Sequence, residues 1–227
     1  MKQVLNFLRD LSLHKEREWF NAHKNEFLKA RSTVNNLAST LMEGIRSFDD
    51  SIGQLSPADC TYRIYRDLRF SKDKSPYKTH MGIFINPGGK KSGFAGYYFH
   101  VSGSEEPHMV AIGDYMTEPK VLRILREDIE MGGGDFRKIL SKVDGRLRLD
   151  DRDALKKTPI GFPADSPDAE YFRLRKFCLW TEVDDNFILA PEFPGNLLEI
   201  FKTAKPFLDY VNRAIEFSRE TQGDYLL

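Results

Sequence analysis

Residues 63–80, RIYRDLRFSKDKSPYKTH, put six Arg and Lys against two Asp into eighteen positions threaded with aromatic rings. An arginine fork meets the oxygens of phosphate or carboxylate two at a time. A lysine adds a compact charge, while serine hydroxyls and the N–H groups of a tight turn add neutral donors. These residue types at this spacing predict an anion site with Arg63, Arg66, Arg69, Ser71, Lys74, Tyr77 and Lys78 as ligand-binding groups. Tyr77, held between Pro76 and Lys78, offers a stacking face or a hydroxyl. Asp67 and Asp73 are the candidate catalytic groups. A carboxylate among cations stays ionised, and it becomes a base only when a substrate displaces its partner.

Positional parity sharpens the case for Arg66. Read as a strand, residues 61–70 place Tyr62, Ile64, Leu68 and Phe70 on a buried face, and Arg66 falls on that same face. An arginine does not shed its proton, so a buried one needs a carboxylate, several carbonyls or a bound anion. Asp67 points to the opposite face of an ideal strand together with Arg63 and Arg69, whereas Asp73 lies beyond the turn and can fold back on Arg66. Three functions follow. The favoured one is binding of a small phosphorylated or carboxylated molecule, with Asp67 or Asp73 as the groups that would act on it. The second is contact with a nucleic-acid backbone, with Tyr65, Phe70 and Tyr77 as stacking groups. The third is a structural lattice of arginine–carboxylate pairs in a protein-interaction module.

Global charge counts against the second. Lys plus Arg and Asp plus Glu are 34 each, whereas dedicated nucleic-acid proteins carry a marked positive excess. The stretch is therefore four charges positive, and the rest of the 227-residue chain is four negative. Hydrophobic residues at 41% and charged residues at 30% are those of an ordinary globular chain. No apolar run suits a secretory signal or a membrane span. The two cysteines, Cys60 and Cys178, have no metal or redox spacing and read as reduced core fillers of a cytoplasmic protein.

The elements that must position the cluster follow from periodicity. Phe20, Phe27, Val34, Leu41 and Phe48 recur every seven residues, which predicts one long helix or two that break near Ser32. His23 on that stripe reads as a histidine bonded to a carbonyl. THMGIFIN and FAGYYFHVS flank PGGKKSG as a β-hairpin, and PHMVAIGDYM is a further strand. EPKVLRILREDIEM and GDFRKILSKV read as helices separated by glycines 132–134, FCLWTEV as a strand, and the segment from Gly195 as a helix pair pivoting at Pro206. Helices before and after consecutive strands predict a single α+β domain over 1–227, with a largely antiparallel central sheet flanked by N-terminal and C-terminal helices. Phosphate-loop, dinucleotide and nucleophile-elbow motifs are absent, so no cofactor is expected. His80, His100 and His108 lack ligand spacing, and no metal is expected, although the three fall in one strand region with Glu105 and Glu106 near His100.

The string RIYRDLRFSKDKSPYK also closely resembles the signature of an uncharacterised, mostly bacterial family known as domain of unknown function 2461. The resemblance extends to EREWFNAHKNEF, AGYYFHVS and TPIGFPADSPD, and so covers nearly the whole chain. The signature positions are Arg63, Ile64, Arg66, Asp67, Arg69, Phe70, Ser71, Asp73, Lys74, Pro76, Tyr77 and Lys78. What the resemblance implies is a single-domain α+β protein, with no activity to carry across.

Overall fold

The computed structural model describes residues 1–67, 69 and 74–223. The N-terminal helices are α1 (Lys2–Leu13), α2 (Arg17–Ala22) and α3 (Lys24–Arg46). α1 buries Val4, Leu5, Phe7, Leu8 and Leu11, and α3 buries Phe27, Val34, Leu41 and Ile45 along the predicted stripe. The breaks fall at residues 14–16 and at His23, not near Ser32. Ser32 lies inside a continuous turn, and the neighbouring Thr33 hydroxyl donates back to the Lys29 carbonyl without ending the helix. At His23 the imidazole Nδ1 reaches the Trp19 carbonyl, 2.8 Å away, and the ring stacks on Trp19 at 4.1 Å. The carbonyl bond expected of this histidine therefore closes the end of α2.

A 3-10 turn at Asp50–Ile52 and the short helix α4 (Pro57–Cys60) lead to the strands. Ser56 and Asp59 cap α4 reciprocally. Cys60 is buried against the Met42 sulfur, and burial pushes its thiol up to about 11. The predicted hairpin forms from β1 (His80–Ile85) and β2 (Gly96–Ser102), paired antiparallel with His80 opposite Ser102 and Gly82 opposite His100. Met81, Ile83, Ile85, Tyr97, Phe99 and Val101 face the core, while His80, Phe84, Tyr98 and His100 share the less buried outer face. Gly88 and Gly89 turn the hairpin with φ of 74° and 81°, a region only glycine enters without strain.

The chain continues through β3 (His108–Asp114), α5 (Pro119–Leu140), β4 (Arg148–Leu149), α6 (Ala169–Phe172), β5 (Phe177–Val183), α7 (Asp185–Leu189) and α8 (Phe193–Gly223). The five strands form one antiparallel sheet in the order β1-β2-β3-β5-β4, so the fold is α+β. α5 starts at Pro119 as predicted, and Gly132 interrupts its helical backbone with φ −142°. The predicted pivot at Pro206 does not divide α8. One proline removes a single backbone bond, and Phe207 and Leu208 beside it are almost wholly buried, which holds the helix through that position.

Two compact units make up the fold. The first comprises Met1–Gly93, Tyr97–Val110 and Glu182–Glu199, and the second Phe94–Gly96, Ala111–Thr181 and Ile200–Leu227. In the second, Phe136 gathers Phe177, Tyr171, Phe207 and Tyr210 around it at centroid distances of 5.0–6.2 Å. Beside that core Asp150, 1% exposed, accepts from Arg152 at 2.6 Å and from Lys176 at 3.2 Å. Cys178 is buried there, and its thiol is pushed up to about 12. No helix among the described residues is long and apolar enough to cross a membrane.

In the first unit, Gly103 sits where α1 meets the turn after β2. Its N–H donates to the Thr79 carbonyl at 2.8 Å, and a Cβ there would collide with the Leu8 carbonyl. Gly103→Ala is expected to cost about 2–3 kcal/mol, because backbone cannot yield as a side chain does. Thermal unfolding should show a Tm lower by roughly 5–10 °C.

Candidate functional site

The basic stretch does not form the regular strand read from its parity. Thr61 bridges to Ile83 and Tyr65 bridges to Tyr77, so the segment changes partner within four residues. One uninterrupted parity cannot survive that change. Ile64 is buried as expected, but Tyr62 is 43% exposed. The Arg66 N–H donates to the Pro76 carbonyl at 2.9 Å, and the Lys78 N–H to the Ile64 carbonyl at 2.8 Å. This short antiparallel ladder sends Tyr65 and Tyr77 to one face and Arg66 and Lys78 to the other.

Tyr77 does not offer its ring to a ligand. It is 4% exposed and stacks on Phe20 with centroids 4.1 Å apart, next to Tyr65 at 5.6 Å. Arg66 is partly buried, and its Nη2 donates to the Tyr77 carbonyl at 3.4 Å. Lys78 is half-buried, its ammonium 5.5 Å from the centre of the Tyr62 ring. Burial, then Arg63 and Arg66, hold that ammonium below the usual lysine range. Among the described residues, neither Lys78 nor Arg63 makes an ion pair. Arg63, expected across the strand from Arg66, thus acts on the same ammonium.

Arg69 and Asp67 form a separate two-pronged pair, with Nη2 to Oδ2 at 2.7 Å and Nε to Oδ1 at 3.0 Å. Those bonds hold the exposed Asp67 carboxyl well below the usual carboxylate range. Asp67 is therefore an ionised group engaged with a neighbouring cation. Lys74 is exposed. Ser71 and Asp73, and with Asp73 the expected Arg66–Asp73 bridge, lie outside the described residues, as do Leu68, Phe70 and Lys72.

Beside the cations, the outer face of the hairpin carries a ring system that the sequence reading did not assemble. His80 and His100 stack at 5.2 Å. The Tyr98 hydroxyl lies 3.1 Å from His100 Nδ1, and His100 Nε2 lies 3.1 Å from the Pro107 carbonyl. A carbonyl only accepts, so Nε2 carries the proton and the phenol donates to Nδ1. Room for this contact comes from Gly82, where a Cβ would sit 2.9 Å from the Tyr98 oxygen. Burial lowers the His100 pKa, and burial followed by the Tyr62 charge raises that of Tyr98. Burial, then His100, Lys78 and Arg66, push His80 down to about 4. A signal for this grouping existed in the sequence, since Tyr98 and His100 are two residues apart on a predicted strand.

His108 faces elsewhere. Its Nδ1 accepts from the Ser102 N–H at 3.0 Å, and its Nε2 lies 3.1 Å from Asp185 Oδ1, which leaves Nε2 as the protonated nitrogen. Arg9 Nη2 meets the other Asp185 oxygen at 2.6 Å. Burial pushes the Asp185 carboxyl up, but Arg9 and His108 outweigh it and the net direction is downward. These residues line a cleft of about 590 Å³ with Glu105, Glu106 and Asp184. Its carboxylates outnumber Arg9, so the cleft carries a negative local charge. Among the described residues no three His, Cys, Asp or Glu groups are disposed to share a metal ion.

A family model described as conserved hypothetical protein (DUF2461) matches residues 3–210. No curated protein and no solved structure matches the chain.

The His80 environment has a consequence for stability. Its folded-state midpoint of about 4 lies below the ordinary 6.5, so the unfolded chain takes up the proton first. The contribution of His80 to stability is full above about pH 6.5 and declines as pH falls toward about 4. In His80→Gln, thermal unfolding should show a shallower decline across that window than in the unaltered protein.

Proposed function

The chain belongs to the DUF2461 family of conserved hypothetical proteins, and we propose that it binds a small phosphorylated or carboxylated molecule through Arg63, Arg66 and Lys78. The observation that supports this reading is the setting of Lys78. A half-buried ammonium opposes folding unless a negative group offsets its lost hydration. Here the charged groups that act on it are two further cations. An anion of phosphate or carboxylate chemistry relieves that repulsion and takes hydrogen bonds from all three side chains.

The other residues sort around that centre. Arg69 is engaged with Asp67, so its fork reaches a ligand only by exchanging one carboxylate for another anion. That pair is separated by a single residue and ties no strand to a helix, which counts against a purely structural lattice. Tyr77 contributes by fixing the ladder from the core side.

Thermal-shift and calorimetric titrations with inorganic phosphate, pyrophosphate and a panel of phosphorylated and carboxylated metabolites, at constant ionic strength, test the reading. At least one of these anions should raise the Tm. Lys78→Ala and Arg66→Ala should each weaken that ligand about tenfold or more, since a charge-assisted bond contributes about 1.5–3 kcal/mol. The exposed variant Lys138→Ala, in the second unit, should leave affinity unchanged. The proposal fails if no anion binds the unaltered protein, or if Lys78→Ala binds as tightly.

A further inference from the structure

Of the three histidines in this strand region, two have both ring nitrogens committed. His100 is held by the Pro107 carbonyl and the Tyr98 phenol, and His108 by the Ser102 N–H and Asp185. His80 differs. Its ring stacks on His100 but has no hydrogen-bond partner among the described residues. It is only half-buried, and it follows Lys78 by two positions at the start of β1. A neutral imidazole with available nitrogens therefore stands beside Lys78 and Arg66.

We propose that His80 is the proton-exchanging group of this anion site, so that an anion seated on Lys78 and Arg66 draws a proton onto the imidazole as the pH falls. This inference rests on the anion-binding reading above. The proton comes from solvent and goes to an imidazole nitrogen, which then donates to a ligand oxygen; no bond of the ligand breaks. The groups facing His80 are His100 from β2 and Lys78 and Arg66 from the basic ladder, with Glu106 and His108 acting on His100 behind it. Without a ligand, the cations and burial keep the imidazole neutral. A bound anion offsets Lys78 and Arg66 and adds negative charge next to the ring, and both changes favour the imidazolium.

Sulfate is the suitable probe, because it carries the same two charges across the whole titration range of histidine. Histidine ring resonances would be followed by NMR from pH 3.5 to 8 in sodium sulfate and in sodium chloride of matched ionic strength, with the His80 signal assigned by its loss in His80→Gln. The His80 midpoint should lie near 4 in chloride and about one unit higher in sulfate. Each unit of separation corresponds to tenfold tighter sulfate binding on the acid side of the window. His80→Gln should bind sulfate at pH 7.5 as the unaltered protein does, but without tightening as the pH falls. If amide resonances of residues 63–66 and 74–78 respond to sulfate while the His80 midpoint stays fixed, the proton-exchange role is overturned and anion binding stands. If neither responds, both are overturned.

Discussion

Everything at the basic surface hangs from the contact between Phe20 and Tyr77, two parallel rings 4.1 Å apart in the core of the first unit. Tyr77 belongs to a segment dense in positive charge that would otherwise prefer water. Burying its ring anchors the ladder to the interior at Tyr77, while Tyr65, paired opposite it, stays 51% exposed. Alternation then leaves Arg66 and Lys78 no choice of side. The aromatic anchor supplies the apolar free energy, roughly 1.5–3 kcal/mol for a buried ring, and the cations are carried to their position by backbone geometry.

What results is an arrangement in which repulsion is tolerated. Arg63, Arg66 and Lys78 share a small region, and the shift at Lys78 records how poorly that suits a half-buried ammonium. The imidazoles next to it respond by staying neutral instead of adding charge. The acidic cleft around Asp185 follows the opposite pattern. There Arg9 and His108 are matched to carboxylate oxygens, so its charges are largely satisfied within the fold.

Elements whose burial alternates or repeats locally were legible from the sequence. The β1–β2 hairpin, β5, the start of α5 and its break at the glycines all stand where residue pattern and turn chemistry place them. Breaks in the long helical stretches were misplaced, at Ser32 and Pro206, because helix ends depend on packing and on side chains such as His23 that close the last carbonyls. The site was legible as a concentration of charge but not as an arrangement. Parity assumed one strand partner, and the chain uses two within four residues, so Arg63, expected on the face opposite Arg66, acts together with it on the Lys78 ammonium. The His108–Asp185 contact joins residues 77 apart, and no local pattern could announce it.

Gly82 shows how far a missing atom can reach. The hollow it leaves on β1 admits the Tyr98 oxygen, which lets the phenol donate to His100 Nδ1, the nitrogen that the Pro107 carbonyl leaves without hydrogen. A methyl group at 82 would crowd the oxygen out of its notch, and His100 would be held from the Pro107 side alone beneath the imidazole stacked upon it. One of the two tethers on that heterocycle is in this way inherited from an empty volume on the neighbouring strand.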